Sequence, residues 1–262
     1  MNIALVGAGR AGGALAIAAH RAGHAIVSIR SRSAASVDRF ALLVDADAGE
    51  PDLTVIAVRD DTISSVAETL SDSPPSAVVH MSGAVSTSAL SRLAERGWRT
   101  GSWHPLQTLP NPESGAARLA GSWVAVTAAE PLRSELHAFS ASLGCKPFDL
   151  ADEDKAAYHA AAAAAANFIV TSLAAAERLA DEANVPFEAY RPLVDAIVDT
   201  CFTLGAKEAL TGPIARNDVE TVAEHLATAD GTDPSLGRMF REMARATAEL
   251  ADAAPEMRET IR

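Results

Sequence analysis

Short apolar runs alternate with helical periodicity along the first half of the chain, and helical periodicity alone continues along the second. Residues 3–6, 25–29, 53–58, 77–80, 99–103, 123–126 and 146–149 have the length and apolar density of buried strands. Residues 11–21, 62–70, 88–96 and 131–143 between them carry helical spacing, with Asp61 or Thr62 as a cap and Pro74-Pro75 as a break before the fourth strand. Strands alternating with helices predict an α/β fold built on a doubly wound, mostly parallel sheet. After Leu150 the strand signal stops, and residues 152–184, 186–204, 216–229 and 235–253 predict helices. The expected organisation is a sheet domain over 1–150 followed by a smaller all-α domain over 151–262.

Charge sharpens that division. The chain has 262 residues and a net charge of −12, which argues against a nucleic-acid or anionic-membrane partner. Residues 1–150 carry 12 Lys/Arg against 14 Asp/Glu, and residues 151–262 carry 10 against 20, so the acidity sits in the helical half. The 57 alanines favour helix and close helix packing. The alanine run over 156–176 includes His159, Asn167, Thr171 and Ser172, and reads as a buried soluble helix rather than a membrane span. Cys145 and Cys201 are too few for a disulfide framework or a multi-cysteine zinc site, and no metal is expected. No secretory signal is visible at the N-terminus, so the expected location is cytoplasmic.

The first strand runs into Gly7-Ala8-Gly9-Arg10-Ala11-Gly12, a G-x-G-x-x-G turn that opens a helix. In that setting Gly7 permits the tight turn, Gly9 lets the backbone approach a pyrophosphate, and Gly12 lets helix and strand pack closely. Arg10 and Ala11 then belong to the first helical turn, whose free N–H groups face the phosphates. The alternative is a glycine turn without a ligand. A dinucleotide site for NAD places an acid at the end of the second strand. Here that position reads Arg30-Ser31-Arg32, with no acid before Asp38. Arginines and hydroxyls suit a 2′-phosphate, so the expected cofactor is NADP, with a solvated basic turn as the alternative. Val58 at the third strand end would line the ribose, and Ser82 after the fourth would lie near the nicotinamide. For Ser82 the alternative is a Ser-Gly turn.

Three later clusters are candidates for chemistry. His104 follows the fifth strand and can donate to a carbonyl or relay a proton, or simply bond the loop backbone. Lys155 and His159 stand four residues apart on one helix face, and Asn167 lies about two turns further. Buried polar groups need partners, which a substrate or a domain or dimer interface would supply. The acids at 152–154 would tend to keep Lys155 protonated. Thr211 and Arg216 flank a Gly-Pro turn and could hold a carboxylate, while Asp218 reads as a helix cap.

Together these residues resemble the Rossmann-like reductases of the 6-phosphogluconate-dehydrogenase-like superfamily. The closer resemblance is to a branch marked by HPLQT at 104–108, K-x-x-Y-H-A at 155–160 and LTGPIAR at 210–216. Members of that branch are known mainly as NADP-binding oxidoreductases. Its relatives include ketopantoate reductases, pyrroline-5-carboxylate reductases and 3-hydroxyacid dehydrogenases. In ketopantoate reductases and hydroxyacid dehydrogenases, the helix after the Rossmann domain carries a catalytic lysine and an asparagine four residues later. Lys155 matches the lysine, whereas His159 stands at the asparagine position.

The resemblance implies an NADPH-dependent reductase of a small 2-oxo acid, with ketopantoate (2-dehydropantoate) of pantothenate biosynthesis as the leading substrate. Lys155 would protonate the forming alkoxide with His104 or His159 assisting, and Arg216, Thr211 and Asn167 would contact substrate. Alternatives are reduction of a cyclic imine, as in pyrroline-5-carboxylate reductases, and a non-catalytic NADP sensor. Alanine-rich helices of low charge, with Phe168, Ile169, Leu173 and Leu179 among their apolar positions, predict a homodimer.

Overall fold

The structure, a computed structural model, describes residues 1–70 and 76–262, so Pro74 and Pro75 lie outside the described residues. It divides into two compact units, Met1–Ala163 and Ala164–Arg262.

The first unit is built on seven strands: β1 (Asn2–Val6), β2 (Ala25–Arg30), β3 (Leu53–Ile56), β4 (Ala77–His80), β5 (Arg99–Pro105), β6 (Trp123–Ala128) and β7 (Lys146–Asp149). Their order is β2-β1-β3-β4-β5-β6-β7, and every neighbouring pair is parallel except β5–β6. The strand order reverses at β1, which opens a crevice outside the ends of β1 and β3, the usual ligand position in such sheets.

Helices cover both faces because the strands alternate between two apolar sets. Ile3, Leu5, Leu53, Val55, Ala77 and Val79 join one core with Leu15 and Ala19 of α1 (Arg10–Arg21) and with Leu136 and Phe139 of a helix beyond β6. Val6, Ile56 and Val78 point the other way and pack with Ile63, Ala67, Leu90 and Leu93. Those residues belong to the short helices between β3 and β5: α3 (Ile63–Glu68), preceded in the chain by α2 (Ala34–Asp38), and α4 (Ser91–Glu95) with the turn before it.

Several helices, α2 among them, have no counterpart in the periodic reading, and the longest of these packs on α1. α5 (Pro112–Leu119) is capped by Asn111, whose Oδ1 accepts from the Ser114 N–H at 2.9 Å. It lies against α1 through two glycines: a Cβ on Gly115 would come within 2.9 Å of Ala14 Cβ, and one on Gly13 within 3.0 Å of Pro112. Its Pro, Gly and Glu content masks the apolar stripe formed by Pro112, Ala116 and Leu119. The helix beyond β6, α6 (Leu132–Ser142), receives Trp103 of β5, whose indole N–H donates to Ser140 Oγ at 2.8 Å.

The long helix predicted from 152 begins with a tight turn at Asp152–Asp154 and runs as α7 (Lys155–Ala163), a π-helical segment (Ala164–Phe168) and α8 (Ile169–Glu182). The division between units therefore falls inside it, at 163/164, rather than near 150. The first turns stay with the sheet because Lys155 and Tyr158 hydrogen-bond to β5.

The second unit contains α8, α9 (Arg191–Leu204), α10 (Ala206–Ala209), α11 (Val219–Thr232), α12 (Pro234–Leu250) and α13 (Pro255–Thr260). Its cores are small. Val222, Leu226, Ala244, Ala248, Met257 and Ile261 form one, and Ala175, Ala229 and Leu236 the other. α11 starts at Val219 rather than 216, because Asn217 takes a left-handed φ of 54° and Asp218 caps the helix from there. Within Asp152–Glu182 an 18-residue window has a mean hydropathy of 1.4, long and apolar enough to cross a membrane by length and composition alone. The stretch is also far less covered than the sequence suggests, since only Lys155, Ala175 and Ala180 along it are buried. Alanine side chains are short, and the neighbouring helices reach only its last turns.

Replacing Trp103 by Phe keeps the ring in the core but deletes its buried hydrogen bond to Ser140. Denaturant unfolding is expected to show a loss of about 1–3 kcal/mol with an unchanged m-value.

Candidate active site

The glycine turn is shaped by what cannot fit in it. Gly7 has φ +108°, and a Cβ there would lie 2.2 Å from the Ala57 carbonyl oxygen. A Cβ on Gly12 would lie 1.9 Å from the Gly7 carbonyl oxygen. The Gly7 N–H donates to Arg30 O at 2.7 Å and the Ala57 N–H to Val6 O at 2.8 Å, which ties the ends of β1, β2 and β3 into one rim. Gly9 differs, because nothing stands within 4 Å of the place a Cβ would take. It is the N-cap of α1 with no side chain closing it, and the first turn carries no acid. Free N–H groups and the positive end of the helix dipole therefore face open space.

That space continues into a cavity of about 600 Å³ lined by Gly7, Gly9, Arg30, Ser31, Arg32, Val58 and Arg59. Ser31 Oγ accepts from the Ser33 N–H at 3.4 Å, which leaves its own hydrogen to donate outward. Arg59 is a cation of this rim that sequence reasoning did not select. It is exposed and paired with Asp61 two residues on, and its position directly after β3 was the available signal. Arg10 and Ala11 begin α1, Arg10 exposed and Ala11 half-buried, and neither lines the cavity. Gly12 is buried in the turn. Ser82 is buried after β4, and its Oγ accepts from the N–H groups of Ala84 at 3.2 Å and Val85 at 3.0 Å. The hydroxyl thus closes a Ser-Gly turn.

Further along the same edge, β5 and α7 make two polar rungs. The lower one joins Lys155 Nζ to Ser102 Oγ at 2.6 Å. The upper one joins His104 Nδ1 and the Tyr158 hydroxyl at 2.7 Å. Ser102 and His104 are two apart on the strand and so share a face, while Lys155 and Tyr158 are three apart on the helix and so share a stripe. The His104 ring lies on Gly83, where a Cβ would approach it to 2.7 Å. The His159 ring centroid is 6.2 Å from that of His104, and its side chain is exposed.

Burial controls the charges here. His104 is lowered to about 4, first by loss of hydration and then by the neighbouring His159 and Lys155. Burial pushes Tyr158 up to about 12. Near neutral pH the pair is therefore an uncharged imidazole and a protonated phenol, sharing one hydrogen bond. Lys155 is only 2% exposed. Burial lowers its pKa, and the opposing effect of Asp152 is the smaller one. The acids before α7 thus act in the direction the sequence suggested, but desolvation outweighs them. Asp152 itself is held by the Ser86 hydroxyl and by the Thr87 N–H at 3.0 Å.

His80, at the end of β4, was missed because it closes an apolar strand run. It is fully buried, its Nδ1 accepts from the Ser82 N–H at 3.3 Å, and its Nε2 has no partner among the described residues. Lys155 and His159 do not present the common polar face expected of them, since one is buried and the other exposed. Tyr158 is the residue of that motif that reaches the strand end. It escaped notice because an aromatic in an alanine-rich helix reads as packing.

Asn167, Thr211 and Arg216 belong to the second unit. All three are exposed, Asn167 within the π-helical segment and the other two on the turn before α11. Asn217 ties this turn to the start of α13 by accepting from the Ala254 N–H at 2.8 Å.

Comparison with known proteins gives two family matches, which meet before β6 rather than at 163/164. Residues 1–105 match the Rossmann-like domain family, and residues 122–247 match a family described as a domain of unknown function, DUF2520. No curated protein matches the chain. Among solved structures, a Bacteroides fragilis protein described provisionally as an NADP oxidoreductase is 24% identical, with a TM-score of 0.80 over 95% of this chain and 98% of that one. An imine reductase from Streptomyces aurantiacus is 16% identical, with a TM-score of 0.69 over 100% of both chains. A reductive aminase from Aspergillus terreus, solved with NADPH and ethyl-5-oxohexanoate, is 13% identical, with a TM-score of 0.68 over 100% of this chain and 99% of that one. At these identities the likeness is one of fold: a Rossmann-like sheet domain continued by a helical domain.

Proposed function

We propose that the protein is an NADPH-dependent reductase that adds hydride and a proton across the C=N bond of a small imine. The observation that carries this reading is the His104–Tyr158 hydrogen bond, set at the same strand-end edge as the glycine turn. The open Gly9 cradle would take the pyrophosphate, and Arg30, Ser31 and Arg32 the 2′-phosphate, with Arg59 beside them. When bound, the dihydronicotinamide supplies the hydride. The protein's own part is to orient the acceptor beside His104 and to provide a proton from the Tyr158–His104 pair to the acceptor nitrogen. The solved imine reductase and the NADPH-bound reductive aminase support the same direction.

The 2-oxo acid reading, with ketopantoate as substrate, rests on Lys155 as proton donor and Arg216 as the carboxylate partner. Arg216 is exposed and available. Lys155 is buried, with its ammonium on Ser102, and this weighs against its donating to an alkoxide. An imine is more basic than a ketone and asks less of its acid, so the burial of Lys155 favours the imine. A cofactor sensor without turnover has no use for the aligned His104–Tyr158 pair.

A second copy of this chain is the proposed partner. Val170, Leu193 and Phe202 of the helical unit are 67%, 65% and 90% exposed, an unusual density of uncovered apolar side chains for a lone chain.

Tyr158→Phe is expected to lower kcat by about 10²–10⁴-fold while leaving NADPH affinity unchanged, measured with a panel of cyclic imines and 2-oxo acids. Because His104 lies at about 4 and Tyr158 at about 12, neither changes charge near neutral pH, and kcat is expected to be flat there. Full activity in the Phe variant would remove the pair from the reaction. Light scattering should give twice the 27.1 kDa chain mass, and a particle of single-chain mass would exclude the partner.

A further inference from the structure

The buried lysine has no direct task in that reaction, yet its surroundings are polar, and this demands an explanation. Lys155 is 2% exposed and Ser102 1% exposed. Ser102 Oγ, at 2.6 Å, is the ammonium's one hydrogen-bond partner among the described residues. On the neighbouring strand His80 pairs in register with Ser102, is 0% exposed, and keeps Nε2 without a partner. An ammonium and an imidazole are thus enclosed side by side, directly below His104 on the same strand face. Enclosing a cation this poorly bonded costs stability, so its retention calls for a compensating role.

We infer that Lys155 is a positioning residue, a buried cation that seats α7 on β5 and holds both His80 and the His104–Tyr158 pair uncharged. The inference rests on the reductase reading only for its use in catalysis. The seating follows from the two rungs. With Lys155 anchored at Ser102, Tyr158 one turn on meets His104 two residues along the strand. The electrostatic part follows from proximity. A second positive charge placed on either imidazole would face the ammonium across a medium of low dielectric.

Other charges act on the same rings and set the balance. His80 is lowered to about 4, first by burial and then by Lys155, against Asp60, Asp152 and a backbone hydrogen bond from Ser86. His104 feels burial first, then His159, Lys155 and His80, against Asp60. Lys155 is thus the foremost charge acting on His80, whereas for His104 it ranks behind His159. With His104 neutral, a proton passed from the Tyr158 hydroxyl to Nδ1 avoids an imidazolium–phenolate pair only if Nε2 releases its own proton to the acceptor in the same step, which leaves a phenolate for solvent to reprotonate. This differs from the lysine donor that the family resemblance implies: here the lysine acts through its neighbours.

The test reads the rings themselves by ¹⁵N NMR of the cofactor-free protein as a function of pH. In the wild type both His80 and His104 should remain uncharged at about pH 6, where an ordinary histidine is more than half protonated. A charged ring at that pH would overturn the inference without any variant. Lys155→Gln keeps a donor for Ser102 and removes the charge, and Lys155→Met removes both. Each should raise both midpoints, that of His80 by about one unit or more. An unmoved pair of midpoints in either folded variant would overturn it. Catalysis gives the second readout. In Lys155→Gln, kcat should acquire a new decline on the acid side as His104 becomes protonated, with NADPH affinity retained. A uniform loss at all pH values would mean a merely structural lysine. Since the titrations use neither cofactor nor substrate, their failure leaves the reductase reading standing, and absence of any turnover leaves the titrations interpretable.

Discussion

The first unit depends on a close approach that only glycine allows. The chain must leave β1 and enter α1 within a few residues while the end of β3 presses against the turn. A side chain on Gly7 would collide with the Ala57 carbonyl, and one on Gly12 with the Gly7 carbonyl. Because these contacts are between backbones, the rim formed by β1, β2 and β3 has little freedom to relax. The opening above Gly9 follows from this, since the turn is compressed on one side and empty on the other. The helix N-terminus, the cavity and the arginines around it are arranged about that opening. An anion is the natural occupant of such a place.

A second constraint sits two strands away. β5 carries the indole of Trp103 into the core on one face and Ser102 and His104 toward α7 on the other. The alternation of a single strand thus separates packing from chemistry. Burial on the α7 side then decides the charges. It keeps the imidazole of His104 neutral and the phenol of Tyr158 protonated, so a proton relayed along the pair must leave the imidazole as another arrives from the phenol.

Much of this was legible in the sequence. Seven apolar runs gave the seven strands to within a few residues, since strands buried on both faces are nearly continuous in apolar character. The glycine spacing marked the turn, and the absence of an acid after β2 marked the basic rim. What was not legible depended on three-dimensional neighbours. The apolar stripe of α5 is short and broken by Gly115 and Glu113, and its packing depends on small residues of α1. Periodicity placed Lys155 and His159 together, but could not tell that the first turn of the helix enters the sheet domain and buries the lysine. Tyr158 and His80 were hidden by context, one in an alanine helix and the other at the end of an apolar strand. The alanine-rich helix itself read as buried, yet most of it is exposed in the single chain, because the apolar surface of alanine says nothing about whether a neighbour is present.

The central claim is that the glycine turn and the Arg30–Ser31–Arg32 rim form a site for a dinucleotide with a 2′-phosphate. Titration of the purified protein with NADPH and with NADH, followed by nicotinamide fluorescence, tests it directly. A charge-assisted hydrogen bond is worth about 1.5–3 kcal/mol, so NADPH is expected to bind at least about tenfold more tightly than NADH. The preference should disappear in Arg32→Ala if that rim carries it. Equal affinity for the two nucleotides, or binding of neither, would contradict the account.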